Sequence, residues 1–344
     1  MAAQESFLFI RLKIKTNNDA LSTPSFISAF TPAAVIHAHS LEEVQLPDAW
    51  LTIGIFDGLH RGHLALLQPF IKDAHTVGAP AVVVTFNPHP AIVLAGMKEF
   101  RYLTTPDELL PLLEATGLDA VITLTFDRRF ANQTAEDFMR LVSRTLHLRH
   151  LYIGHDTALG RGREGDATRL TELGKTLGYT VTSVPPLKKD GMVISSTRIR
   201  KCLSIGQVST AANLLGRNYD LCGPVVHGDG RGHLLDIPTA NIQAPPEKMI
   251  PANGIYACWA WLPATAEPEK IPAAVNIGVR PTFNPDLPAP AVEAHLLDFH
   301  RDLYGQSVCL EFVEFLRPEL KFNSIPALLE QIQSDIHQTR NLLR

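Results

Sequence analysis

Gly54-Ile55-Phe56-Asp57-Gly58-Leu59-His60-Arg61-Gly62-His63 is the stretch on which the reading of the first half turns. It ends a short apolar run, residues 50–55, and opens a helical stretch, residues 62–77. A strand that runs through glycines straight into a helix is the start of a β–α unit. The helix N-terminus then presents unpaired N–H groups and a partial positive charge, where phosphate binds well. His60 and His63 are three apart and share a helix face. Both ring systems can donate hydrogen bonds to phosphate oxygens. Gly58 and Gly62 let backbone come close to a ligand. A tight turn with two solvated histidines is the plain alternative. A zinc pair is another, although no cysteine or third ligand stands nearby in sequence.

Working outward, the same alternation continues. Residues 81–86, 120–126, 151–154 and 179–184 are apolar, β-branched runs that suit strands buried on both faces. Residues 106–115, 134–146 and 168–177 read as the helices between them. This predicts an α/β domain with a parallel sheet, over residues 35–216, whose ligands bind at the C-terminal ends of strands. Residues 1–34 carry no clear pattern. Beyond residue 216 the pattern changes to short β-like pieces, clearest at 255–261, 273–277, 291–299 and 307–315, separated by Pro/Gly/Asn/Asp clusters. An antiparallel barrel or sandwich over residues 217–344 follows. Its tail is helical, with Ile325, Leu328, Leu329, Ile332 and Ile336 on one face.

Composition narrows the function classes. The 344 residues are 45% hydrophobic and 19% charged, with a net charge of −4, so the chain lacks the basic footprint of a nucleic-acid binder. Phosphate must be held by local groups. Cys202, Cys222, Cys258 and Cys309 have no metal-knuckle spacing and read as isolated thiols of a reducing compartment. No apolar run reaches the ~20 residues that span a bilayer, and the N-terminus lacks a signal-peptide core. These features predict a cytoplasmic protein with small-molecule partners and no membrane or nucleic-acid partner; the sequence permits self-association.

Two further segments carry chemistry. Ile194-Ser195-Ser196-Thr197-Arg198-Ile199-Arg200 combines three hydroxyls and two guanidiniums, groups that cap helices and grip phosphate. An ordinary capped helix is the alternative. Residues 221–242, LCGPVVHGDGRGHLLDIPTANI, hold Gly223, Gly228, Gly230 and Gly232, which read as a loop able to wrap phosphate, then Thr239 and Asn241. In an extended segment Thr239 and Asn241 point the same way, as neutral oxygen ligands suited to Mg²⁺–ATP. A hairpin and turn is the alternative. Glu293 lies on an otherwise apolar strand, where a lone carboxylate is costly without a partner or a task.

The first two segments, with Thr85-Phe86-Asn87-Pro88-His89-Pro90 and Ile153-Gly154-His155-Asp156 continuing to Asp166, resemble the FMN adenylyltransferase branch of the HxGH nucleotidyltransferases. The second half, through Gly254-Ile255-Tyr256-Ala257, Val275-Asn276-Ile277-Gly278, Val292-Glu293-Ala294-His295, Leu303-Tyr304-Gly305 and Arg317-Pro318-Glu319, is similar to the riboflavin kinases. Together they resemble the bifunctional riboflavin kinase/FAD synthetase family over residues 35–340. The resemblance implies a Rossmann-like sheet domain and a kinase barrel, with ATP as co-substrate, Mg²⁺, and riboflavin, FMN and FAD as substrates and products. It implies ATP contacts from Gly54, Phe56, Asp57, Gly58, His60, Gly62, His63, Ser195, Ser196, Thr197 and Arg198, with flavin beside Asn87, His89 and Asp156. In the kinase it implies ATP at Gly223, Gly228, Gly232, Thr239 and Asn241, Glu293 as general base and Arg317 near flavin or phosphate.

Three places depart from that pattern: Ile55 for a polar residue, Thr157 and Leu159 for two aromatics, and Asp236-Ile237 for Gly-Phe. They imply a lost polar contact, a weaker flavin wall and charge repulsion of ATP. Two rival functions stand beside the bifunctional one: a kinase with a weakened or repurposed nucleotidyltransferase half, and a flavin-binding protein without turnover. Both ATP signatures favour catalysis over storage.

Overall fold

The computed structural model describes residues 35–46, 48–97, 99–228, 237–262, 269–279 and 290–344. They form two compact units that divide between Ser195 and Ser196. In the first unit, β1 (Ile36–Ala38), β2 (Trp50–Ile53), β3 (Ala81–Asn87), β4 (Ala120–Thr125), β5 (His150–Gly154) and β6 (Thr180–Val184) make one sheet. Its order is β1-β4-β3-β2-β5-β6 and the pairings are parallel. The helices are α1 (Arg61–Thr76), α2 (Pro90–Ala95), α3 (Pro106–Glu114), α4 (Arg128–Ala131), α5 (Ala135–Leu146) and α6 (Ala167–Leu177). Leu51, Ile53, Val82, Val84, Ile122 and Ile153 from the strands pack with Phe138, Val142, Leu170 and Leu173 from α5 and α6 as one buried core. Strand β1 was not legible: three residues, two of them exposed, give no periodic signal.

Strand order places the ligand crevice. From β2 the chain steps one way to β3 and β4, and later the other way to β5 and β6. The switch point therefore lies between the C-terminal ends of β2 and β5, where open α/β sheets bind ligands. The segments beginning at Gly54 and at His155 leave those two strand ends.

After the short ribbon β7 (Lys188–Lys189) and β8 (Met192–Val193), the second unit opens with α7 (Ser196–Ser204) and α8 (Val208–Leu215). It then closes a barrel from β9 (Tyr219–Val226), β10 (Ala240–Ile242), β11 (Gly254–Leu262), β12 (Glu269–Val279), β13 (Pro290–Leu296) and β14 (Ser307–Arg317), in the order β10-β13-β12-β11-β14-β9. All barrel pairings are antiparallel. Alternate residues point inward: Val292, Ala294 and Leu296 of β13 are buried, as are Ala273, Val275 and Ile277 of β12. Tyr256 sets its ring edge-on to Phe312 at 5.3 Å inside. The two small helices belong with the barrel. Val208, Ala211, Leu214 and Leu215 are buried, a Cβ on Gly206 would stand 3.0 Å from the Phe315 ring, and the Ala252 N–H donates to the Leu203 carbonyl at 2.9 Å. The chain ends in α9 (Ile325–Leu342), capped by the Ser324 hydroxyl.

The cysteine expectation needs one correction. Cys222 and Cys309 stand opposite each other across β9 and β14 and are joined as a disulfide. Eighty-seven residues separate them in sequence, and only the barrel register brings them together. Cys202 and Cys258 are free and buried. No helix among the described residues is long and apolar enough to cross a membrane.

Candidate active sites

At the first site, β2 ends at Ile53 and the chain turns through Gly58, at φ +86°, into α1. His60 is the N-cap of α1. Its Nδ1 accepts the His63 backbone N–H at 3.2 Å, so Nε2 carries the imidazole proton. The His60 and His63 rings stack at 3.6 Å between centroids, and the buried Phe56 ring meets His63 edge-on at 5.3 Å. Phe56 thus props the histidine pair. Gly62 has no room for a side chain: a Cβ there would lie 3.0 Å from His60 Nδ1 and 3.1 Å from the Ile194 carbonyl oxygen. This brings the chain just before Ser195 against the first turn of α1. Ser195 ends the first unit, and Ser196, Thr197 and Arg198 open α7 of the second.

Asp57 is 3% exposed and turns to its neighbours. Its carboxylate accepts the Thr104 N–H at 2.9 Å, and the Thr104 hydroxyl accepts the Gly58 N–H at 2.9 Å. Thr104 holds the loop in shape, a role sequence reading did not find because forty-seven positions separate it from Asp57. Asn87 ends β3 and is exposed. His89 caps α2 through Nδ1, stacks on Phe100 at 4.3 Å, and its N–H donates to the Tyr102 hydroxyl at 2.9 Å. Phe100 and Tyr102 are aromatic partners that the motifs did not flag.

Asp156 is exposed beyond β5, with its carbonyl held by Arg163 at 2.8 Å. Thr157 and Leu159, where a weaker flavin wall is expected, are half-buried and make contacts within the unit. The Thr157 hydroxyl accepts the Gly154 N–H at 3.0 Å, and Leu159 packs against the sheet core. Leu159 also pairs with Gly165 in a small hairpin. Gly160 and Gly165 press that hairpin onto Ala135 at the start of α5, where a Cβ would lie 2.3 Å and 2.5 Å from its atoms.

At the second site, a cavity of about 290 Å³ lies between the outer wall of the barrel and α9. Barrel register sets a row of side chains along this wall. Asn241 stands opposite Glu293, Glu293 opposite Asn276, Asn276 opposite Ile255, and Ile255 opposite Arg317. Directly opposed residues share a sheet face at Cβ separations of about 4.5–5.5 Å. Glu293, Asn276, Ile255 and Arg317 all line the cavity, joined by Thr239 and His295. Leu328, Ile332 and Ile336 of α9 form the apolar side. The helix's predicted apolar stripe therefore faces a cavity rather than a dry core.

Arg317 is engaged within the protein. Its guanidinium meets the Asp335 carboxylate through contacts of 2.9, 3.2 and 2.6 Å, and Gln331 adds a bond to the same carboxylate at 3.0 Å. The pair bolts α9 to the end of β14. Gly223 lies inside β9 rather than in a loop; a Cβ there would fall 2.0 Å from the Gln243 carbonyl oxygen. Gly228 packs against the Asn241 carboxamide, 2.2 Å from a built Cβ. Gly230, Gly232 and Asp236 lie outside the described residues, while Ile237 is buried on the cavity wall.

A parallel sheet with two histidines at a helix N-terminus, and a barrel whose wall sets a carboxylate between two carboxamides, are the features of a two-domain transferase. Comparison with known proteins gives the particular family. Residues 42–198 match the FAD synthetase family model and residues 215–343 the riboflavin kinase model. The chain is 37% identical to the bifunctional riboflavin kinase/FMN adenylyltransferase of Escherichia coli K12, over 86% of this chain and 93% of that protein. It is 33% identical to that of Listeria monocytogenes, over 84% and 91%. A solved macrolide-efflux protein from Streptococcus pneumoniae superposes with a TM-score of 0.82 at 30% identity, covering 90% of this chain and 99% of its own. The chain belongs to the bifunctional riboflavin kinase/FMN adenylyltransferase family.

Proposed function

We propose that the barrel unit phosphorylates riboflavin to FMN and the sheet unit adenylylates FMN to FAD, each with ATP and each with the residues assigned below. Two family matches in one chain, over two unlike folds, support both activities. The observation that carries the kinase assignment is Glu293 beside Asn276 on a cavity with polar and apolar lining, with Asn241 opposite Glu293 on the neighbouring strand. The apolar side suits a flat ring system; the polar side suits a hydroxylated chain. Glu293 accepts the proton of the riboflavin 5′-hydroxyl as that oxygen attacks the γ-phosphorus and ADP leaves. Thr239 and Asn241 offer hydroxyl and carboxamide oxygens beside the base, the neutral donor set that suits Mg²⁺ shared with phosphate and water. When bound there, Mg²⁺ neutralises charge on the transferring phosphoryl group. Arg317 shapes the flavin end of the cavity through its grip on α9.

In the sheet unit no protein nucleophile is required: an FMN phosphate oxygen attacks the α-phosphorus of ATP and pyrophosphate leaves. The α1 N-terminus, the His60 Nε2–H and His63 stabilise the charge that develops on the phosphates. The family resemblance assigns further phosphate contacts to Ser195, Ser196, Thr197 and Arg198. His89 with Phe100 and Tyr102 forms an aromatic group, reached from Asn87, for the flavin. We place the boundary between the activities near residue 216, and the protein in the cytoplasm with small-molecule partners alone. Pure protein incubated with riboflavin, ATP and Mg²⁺, with riboflavin, FMN and FAD then separated, tests the proposal. FMN followed by FAD is expected; FMN without FAD removes the adenylyltransferase assignment, and neither product removes both.

A further inference from the structure

The segment that leads into β10 has an unusual means of support. Ladder pairing between β10 and β13 begins at Ala240 opposite Ala294, followed by Asn241 opposite Glu293. One step outward, the same register sets Thr239 opposite His295. Backbone pairing with β13 stops there: Pro238 has no N–H to donate, and its carbonyl oxygen takes a hydrogen bond from a side chain. His295 supplies it, with Nδ1 2.9 Å from the Pro238 oxygen. A carbonyl oxygen can only accept, so Nδ1 carries the proton. A side chain thus continues the ladder where the backbone ends.

The position matters for the site. His295 and Glu293 are two apart on β13 and share its outer face. Both line the cavity with Thr239. We infer that His295 is a positioning residue for phosphoryl transfer. It ties the Pro238-Thr239 segment to the strand that carries the base, so that the groups on the ATP side and the group that takes the proton keep one spacing. This rests on the kinase reading above. Sequence reading passed over the residue because a histidine in Glu-Ala-His has no motif of its own.

The test uses the full chain, with riboflavin, ATP and Mg²⁺ varied separately. A misplacement of about 1 Å can slow a reaction by about 100-fold. In His295→Ala the KM for ATP and the Mg²⁺ concentration for half-maximal rate are expected to rise about ten-fold, with the KM for riboflavin changed less than about two-fold. FMN adenylylation should stay at the wild-type rate. His295→Asn places an amide N–H close to where Nδ1 stands, and should recover the ATP and Mg²⁺ dependence to within about three-fold of wild type. An exposed hydrogen bond contributes little to folding, so both melts should stay within about 5 °C of wild type. Unchanged ATP and Mg²⁺ dependence in His295→Ala would overturn the inference. So would an Asn variant that matches Ala in kinetics and melts far below wild type, since that marks a purely structural role. A wild-type chain that forms no FMN would instead sink the kinase reading itself.

Discussion

Asp335→Asn separates two roles for Arg317, a ligand for substrate or a bolt for α9. The Arg317 side chain is 16% exposed and that of Asp335 is 5% exposed, and three N–O contacts between 2.6 and 3.2 Å join them. Asparagine keeps the shape but removes the negative charge, and turns amide hydrogens or one neutral oxygen toward the guanidinium. The remaining charge is then buried without its counterion, which typically costs ~3–5 kcal/mol. At ~2–4 °C per kcal/mol for a domain of this size, the melt of the barrel unit should fall by roughly 10 °C. Because Leu328, Ile332 and Ile336 reach the cavity from the same helix, the KM for riboflavin should rise as well. The double variant Arg317→Met with Asp335→Leu removes both charges and should recover most of the melt. Calorimetry on the full chain with riboflavin kinetics measures all three. A single variant that melts within about 2 °C of wild type would show that the pair is not anchoring the helix. A double variant as unstable as the single would refute the unpaired-charge argument.

Glu293→Gln keeps the side chain's shape and removes the base, so FMN formation should fall ~10²–10⁴-fold while FMN adenylylation stays near wild type; a kinase rate within a few fold would end the assignment. His63→Ala removes a ring that stacks on His60 at the α1 N-terminus, and should lower FAD formation by ~10²–10³-fold with FMN formation intact. Leu159→Phe inserts an aromatic into a position already packed on the sheet core, so it should destabilise by ~1–3 kcal/mol without lowering the KM for FMN; a lower KM with an unchanged melt would mean that the position faces flavin after all. A fragment from Ser196 to Arg344 keeps α7 and α8 on the barrel and should make FMN but no FAD, whereas one begun at Arg217 exposes the contacts of Val208, Leu214 and Leu215 and should melt lower.

Both folds were legible in the sequence, for different physical reasons. Strands β2 to β5 are continuous apolar runs because helices cover both faces of that sheet, so their signal does not depend on finding a partner. Barrel strands alternate: Val292, Ala294 and Leu296 point in while Glu293 and His295 point out. That period of two was readable at β11 to β14. It failed at β9 and β10, where glycines and Pro238 suggested loop. Gly223 shows why. It is required by the Gln243 carbonyl 2.0 Å from its absent Cβ, a tertiary approach that looks like flexibility in sequence. Cys222 and Cys309 failed in the same way, since spacing along the chain says nothing about opposition across two strands.

Site residues divide along the same line. His60, His63, Gly62 and Ile194 could be found because one strand–turn–helix unit and one later segment carry them, and such motifs persist as short words. The proposed kinase site is instead a row across five strands, and each member sits in a different word. Glu293 could be found as an ionisable residue in apolar company, but the residues that stand beside it, Asn276 and His295, look ordinary in their own segments. Thr104, Phe100 and Tyr102 were missed for the same reason. The proposed roles also bear on how a chain with net charge −4 would handle phosphate twice. At the first site the proposed donors are a helix N-terminus and two imidazoles. At the second, the polar lining among the described residues includes Thr239, Asn276, His295, Glu293 and Glu319, and Arg317 is paired with Asp335. On the reading proposed above, holding a phosphoryl group at these sites depends on where such side chains and dipoles are placed. Such placement depends on exact backbone register, and tight glycine contacts and the His295 bond to Pro238 are what hold that register in place.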